Sequence, residues 1–155
     1  MDRVPITRKG YEALKKELEY LKSVERPMII KAIEEARAHG DLSENAEYDA
    51  AKNRQGFVEG RIGELGFKLA NAEIIDTDKI PKDKVVFGST VILESIDTGE
   101  SIEYQLVGSE ESDIQKGRIS VSSPLGKAML GKTPGEELTV QAPVGKRRYE
   151  LVEIR

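Results

Sequence analysis

The chain has 155 residues, of which 34% are charged, a net charge of −4, one histidine and no cysteine. That composition excludes a disulfide framework and thiolate chemistry, and it leaves too few Cys and His side chains for a protein-built zinc site. The net charge has the wrong sign for gripping nucleic acid unaided, and no apolar run approaches the roughly 20 residues of a membrane span.

The opening MDRVPITRKG lacks the apolar core of a signal peptide, so a cytoplasmic protein with no membrane partner is expected. From Thr7 the pattern turns helical. Tyr11, Leu14, Leu18 and Leu21 step by 3, 4 and 3, and Ile29, Ile33 and Ala36 resume in a shifted register. Pro27 lies between the two runs and lacks a backbone donor, which predicts a kink or short break. Gly40 suits the position just past the helix end. His39 beside it reads as a cation favoured by the helix dipole rather than as a catalytic base.

A second helix is expected from about Glu44, with Val58, Ile62, Leu65, Leu69 and Ala72 stepping by 4, 3, 4 and 3. Two helices joined by a few residues are antiparallel neighbours, and the 3-4 stepping is a coiled-coil seam. Roughly 30 residues per arm would reach about 45 Å. A seam satisfied within one chain points to a monomer.

The turn of this hairpin is acidic. Residues 34–49 hold Glu34, Glu35, Asp41, Glu44, Glu47 and Asp49 against Arg37 alone. Asp41 and Glu44 have the spacing of a capping box, which is a sufficient structural reason for that pair. Capping does not explain the other four acids. Two carboxylates at an exposed tip supply too few oxygens to hold Mg²⁺ tightly, but they could complete a site whose other ligands belong to a partner. A metal shared in that way would activate a water for phosphoryl attack.

The stretch IIDTDKIPKDKVV is a charged connector, after which the period falls to two. STVILES and SIEYQLV flank DTGE as a hairpin, RISVS is a short strand, Pro124 opens a short helix, and ELTVQA pairs with RRYELVEI across PVGK. The expected fold is α+β. A coiled-coil hairpin occupies residues 1–76, a linker 77–82, and an antiparallel sheet with one helix 83–155.

The stretches HGDLSENAEYDAAK and QGFVEGRIGELGFKLANAEIID closely resemble the GreA/GreB family of bacterial transcript cleavage factors. The opening ITRKGYEALKKEL and the C-terminal SPLGKAMLGKTPGEELTVQAPVGKRRYELVEI are similar to the same family. The resemblance implies that the C-terminal domain is similar in fold to FKBP-type prolyl isomerases and docks at the rim of the secondary channel of bacterial RNA polymerase. It implies that the arm enters that channel. Asp41 and Glu44 would then help hold a Mg²⁺ shared with the polymerase at the 3′ end of the nascent RNA. The polymerase, not this chain, would cut the RNA.

By the same resemblance Tyr48, Lys52 and Arg37 match positions near the RNA or the active-site elements, and Ser123, Pro124 and Leu125 match a polymerase-docking loop. Each has a structural reading beside it. Tyr48 could pack on the opposite arm, Arg37 could neutralise Asp41, Lys52 could be an ordinary solvated lysine, and Pro124 could simply start a helix. Ser43 stands where some relatives carry a basic residue, and the first helix lacks the extended basic face of the GreB branch, which favours short cleavage products. Residues 77–155 hold only Phe87, Tyr104 and Tyr149 as aromatics, a poor basis for a prolyl-isomerase pocket. The rival readings are that isomerase, an inhibitory channel plug and a passive coiled-coil adaptor.

Overall fold

The hydrophobic stepping of the first 70 residues folds into two helical arms whose cross-links run in opposite chain directions. The computed structural model describes residues 3–40 and 45–155. Helix α1 (Arg8–Tyr20) passes through a π-helical segment, Leu21–Glu25, into α2 (Arg26–Ala38), and α3 (Ala46–Ala70) returns. Glu17 meets Arg61, Glu25 meets Arg54, Arg26 meets Glu59, and Ala36 meets Asn45. From Glu17–Arg61 at one end to Ala36–Asn45 at the other, the number on α3 falls as the number on the outgoing arm rises, so the arms are antiparallel.

Leu14, Leu21, Ile29, Ile33 and Ala36 are buried on the outgoing arm, and Val58, Ile62 and Leu65 on α3. These are the expected seam positions. Tyr11, Leu18 and Leu69 are half-buried, and Ala72 has left the helix for a strand. Pro27 does not break the helix. It falls at the first turn of α2, directly after the π-helical segment, where its missing N–H is accommodated.

The chain divides into two units, one made of Tyr11–Ala72 with the residues up to Val4, the other of Pro5–Gly10 with Glu73–Arg155. In the second unit, strands β3 (Thr90–Ser95), β4 (Ser101–Val107), β5 (Arg118–Ser120), β6 (Glu137–Ala142) and β7 (Gly145–Ile154) form a sheet in the order β5-β4-β3-β7-β6. Two further strands that the sequence pattern did not announce, β1 (Val4–Thr7) and β2 (Ala72–Ile75), pair separately.

The sheet is not wholly antiparallel. Strand β5 runs parallel to β4, with Leu106 opposite Ile119. The connection between them carries two 3₁₀ turns, Ser109–Glu111 and Ile114–Lys116, so the chain re-enters the sheet in the same direction instead of doubling back through a tight hairpin. The core comprises Val91 and Leu93 of β3, Leu106, Ile119, Leu138, Leu151 and Ile154, closed by Met129 at the end of helix α4 (Pro124–Met129). Burying side chains of this size contributes about 1.5–3 kcal/mol each before entropy is counted.

Within this unit the Glu111 carboxylate is buried and accepts hydrogen bonds from the Thr7 N–H, the Thr7 hydroxyl and the Gly108 N–H. The Thr7 hydroxyl oxygen in turn accepts from Gly10 N–H at 3.0 Å, capping α1. A Cβ on Gly10 would collide with the Glu111 carboxyl, so only glycine fits there.

Candidate functional site at the hairpin turn

Helix α2 ends at His39, whose backbone is still right-handed at φ −80 and ψ −4. Gly40 follows with φ +111, a conformation that favours glycine. The return helix does not begin at Glu44. Asn45 is extended at φ −97 and ψ 98, and its side chain accepts the Tyr48 N–H, making Asn45 the N-cap and Ala46 the first helical residue.

The capping box expected of Asp41 and Glu44 therefore does not start α3; an Asn cap does. Asp41 and Glu44 themselves, with Leu42 and Ser43, lie outside the described residues. The Asn45 amide also donates to the Ala36 carbonyl at 2.7 Å, so one side chain closes the start of α3 and gives the Ala36 carbonyl a second donor beside the His39 N–H at 3.1 Å. The sequence signal for this role is an Asn directly before Ala46, with Glu47 and Asp49 in the first turn that follows.

The Arg37 guanidinium lies over the Tyr48 ring at 6.0 Å from its centroid, so Tyr48 packs across to the opposite helix. His39 Nε2 is 3.7 Å from a Glu47 oxygen, with both side chains largely exposed. Lys52 is exposed and donates to Gln55 at 3.2 Å. Glu34, Glu35, Glu47 and Asp49 all face solvent, and acids in the first turn of α3 suit its dipole. Among the described residues no three His, Asp or Glu side chains converge as a metal site.

In the second unit the Ser123 hydroxyl accepts from Gly126 N–H at 3.0 Å and donates to the Ser120 carbonyl at 2.7 Å, and Pro124 takes the first turn of α4. Leu125 is half-buried against the core. These three residues line a groove of about 480 Å³ with Ile114, Ile119, Val140 and Pro143. The groove is apolar, and no aromatic ring lines it.

Residues 4–74 match the family described as transcription elongation factor, N-terminal, and residues 80–155 match transcription elongation factor, GreA/GreB, C-terminal. The chain belongs to the GreA/GreB family of transcription elongation factors. It is 56% identical to the transcription elongation factor GreA of Thermodesulfovibrio yellowstonii over 153 residues, covering 99% of this chain and 97% of that one. It is 54% identical to GreA of Methylococcus capsulatus over 156 residues, covering 100% and 99%. Among solved structures, the GreA factor homolog 1 of Thermus thermophilus is 32% identical over 99% of each chain, with a TM-score of 0.44. In this GreA/GreB factor the tip signature thus runs from the C-cap of one helix, through residues 41–44, into the N-cap and first turn of the next. No described helix is long and apolar enough to cross a membrane.

Proposed function

We propose that this GreA/GreB factor inserts its hairpin turn into the secondary channel of bacterial RNA polymerase. There it stimulates the polymerase's own Mg²⁺-dependent cleavage of the RNA 3′ end in backtracked complexes, so that elongation resumes. The observation that carries the reading is the clamp of Asn45 on Ala36. It joins the two helix ends between which Asp41 and Glu44 fall in sequence, which supports a role for that stretch at a hairpin turn.

In this reading Asp41 and Glu44 are the catalytic carboxylates and present oxygen donors, the ligand chemistry that suits Mg²⁺. A Mg²⁺ held jointly with the polymerase would polarise the attacking water and offset charge on the phosphate. Arg37 and Tyr48 form a stacked pair beside the turn, and with Lys52 they face the RNA or the active-site elements. Ser123, Pro124 and Leu125 dock at the channel rim. The chain is a monomeric cytoplasmic factor, not a free-standing nuclease.

The test uses a purified backtracked complex with end-labelled RNA and Mg²⁺. Wild-type protein should release short 3′ fragments, and the Asp41→Asn/Glu44→Gln variant should bind but fail to. Equal cleavage by both would overturn the role of the two carboxylates. Slowed elongation without cleavage by either would make the protein an inhibitor of the same enzyme.

A further inference from the structure

A second cavity, of about 390 Å³, lies in the C-terminal unit and is lined by Thr7, Arg8, Lys9, Thr77, Gln105 and Arg118. Its size is at the lower end of the range for small-ligand pockets, about 300–1,000 Å³. Every lining residue is cationic or neutral and polar, in a protein whose net charge is −4.

The three cations share one cavity, and among the described residues none of them has an acidic partner. Most other arginines are engaged: Arg26, Arg54, Arg61, Arg148 and Arg155 pair with acids, Arg37 stacks on Tyr48, and Arg3 donates to a carbonyl, while Arg147 on β7 forms no ion pair among the described residues. Among the described residues, Arg8, Lys9 and Arg118 form no ion pair. Asp113 bridges Arg118 through the backbone only. The nearby acid Glu111 is already satisfied by three donors from Thr7 and Gly108 and does not line the cavity. Three like charges around one cavity repel one another, and an anion placed among them relieves that repulsion.

Gln105 and Arg118 are held opposite each other on adjacent strands, and the Gln105 amide is fixed by the Gly88 carbonyl at 3.4 Å. The first turn of α1 adds Arg8 and Lys9, at a helix end where N–H groups are left for external acceptors. We propose that this cavity is a binding site for a diphosphate group, either free pyrophosphate or the diphosphate of a nucleotide. A multiply charged anion of that size engages the three cations together, with Thr77 and Gln105 as neutral hydrogen-bonding partners. The site is independent of the hairpin turn, and its ligand would be sensed by the unit that carries the docking loop.

The test is calorimetric titration of the full chain at about 0.15 M salt, where long-range surface attraction is screened, without divalent cations. Inorganic pyrophosphate, orthophosphate and a nucleoside 5′-diphosphate are compared at matched ionic strength. Saturable one-to-one binding of pyrophosphate is expected, weakened about tenfold or more in Arg8→Gln/Arg118→Gln, since each charge-assisted hydrogen bond is worth about a factor of ten. The variant's unchanged melting curve shows that it folds, and Lys9→Gln alone should show a smaller loss. Tighter binding of the nucleoside diphosphate would identify a nucleotide as the source, and equal or weaker binding would identify the free anion. Three outcomes overturn the proposal. They are no saturable binding of either diphosphate, equal binding by the double variant, or orthophosphate bound as tightly as pyrophosphate. Saturable binding of an unphosphorylated oligoribonucleotide with none of pyrophosphate would overturn it in favour of an RNA surface.

Discussion

The Asn45 side chain donates to the Ala36 carbonyl at 2.7 Å and accepts the Tyr48 N–H at 3.1 Å. One residue thereby fixes where α3 begins and holds that start against the last turn of α2. The two hydrogen bonds use different atoms, the amide nitrogen and the carbonyl oxygen, so they can be removed separately.

Asn45→Ala removes both. A lost N-cap costs about 1 kcal/mol and a lost hydrogen bond about 0.5–1.5 kcal/mol, so a total of about 2 kcal/mol is expected. Asn45→Asp keeps the acceptor and loses the donor, and should cost about half as much. Urea unfolding of the three proteins gives the order directly. Equal stability of Asn45→Ala and wild type would mean that seam packing alone holds the turn.

Gly10 and Glu111 are coupled by space instead. Gly10→Ala drives a methyl group into the buried carboxyl, and an overpacked site of this kind costs about 1–3 kcal/mol. Glu111→Ala alone leaves the Thr7 and Gly108 N–H groups without their acceptor, a cost of about 1–3 kcal/mol. The double variant has no carboxyl to strike, so its loss should be clearly smaller than the sum of the two. A double-mutant cycle by thermal unfolding measures that difference. Strict additivity would show that the methyl group is accommodated in some other way.

Glu17 and Arg61 give the hairpin a pH dependence. Arg61 donates to both Glu17 oxygens, at 2.7 and 2.9 Å. That hydrogen bonding holds the Glu17 carboxyl below the usual carboxylate range; desolvation opposes it and the Arg61 charge adds to it. A depressed folded-state pKa contributes stability above the unfolded value, which is lost as pH falls through the folded one. Glu17→Gln should therefore be less stable than wild type at neutral pH by no more than about 1 kcal/mol, because the pair is only partly buried and still screened by solvent. The gap should close as the pH falls below the ordinary glutamate value of about 4.3. Stability curves across that window check it, and a gap independent of pH would assign the loss to packing.

The hairpin was legible because its signal is local. Leu14, Leu21, Ile29, Val58, Ile62 and Leu65 announce their burial by spacing alone. The short strands β1 and β2 carried no comparable signal. Val4 is 60% exposed and Ile74 36%, so neither strand shows the clean alternation that marks a half-buried strand. The parallel β4–β5 pair was also invisible, since strand direction depends on how the 3₁₀ turns steer the connection and not on residue pattern. At the hairpin turn, the acid spacing of a capping box drew the expected helix start away from Asn45, the residue that caps α3. Asn45 satisfies α3 with one side chain and reaches Ala36 as well, a long-range contact that no local motif encodes.

The π-helical segment Leu21–Glu25 follows from a mismatch already present in the seam. Leu21 and Ile29 are both buried, eight positions apart, where a continuing heptad seam would place the next equivalent residue about seven on. One extra residue must be absorbed, and a single π turn does so, with the Arg26 N–H reaching back to the Leu21 carbonyl. On this account Pro27 tolerates the π turn but does not cause it. Pro27→Ala should then retain the π segment and gain far less than the about 3 kcal/mol that relieving an interior proline normally returns. Deleting Val24, which is 38% exposed, restores the seven-residue spacing but leaves Pro27 inside a regular α-helix, and should destabilise the hairpin by about that amount. Adding Pro27→Ala to the deletion should recover most of the loss. Urea midpoints of the four proteins decide the matter. A full gain from Pro27→Ala in the intact chain would make the proline, and not the spacing of Leu21 and Ile29, the origin of the π turn.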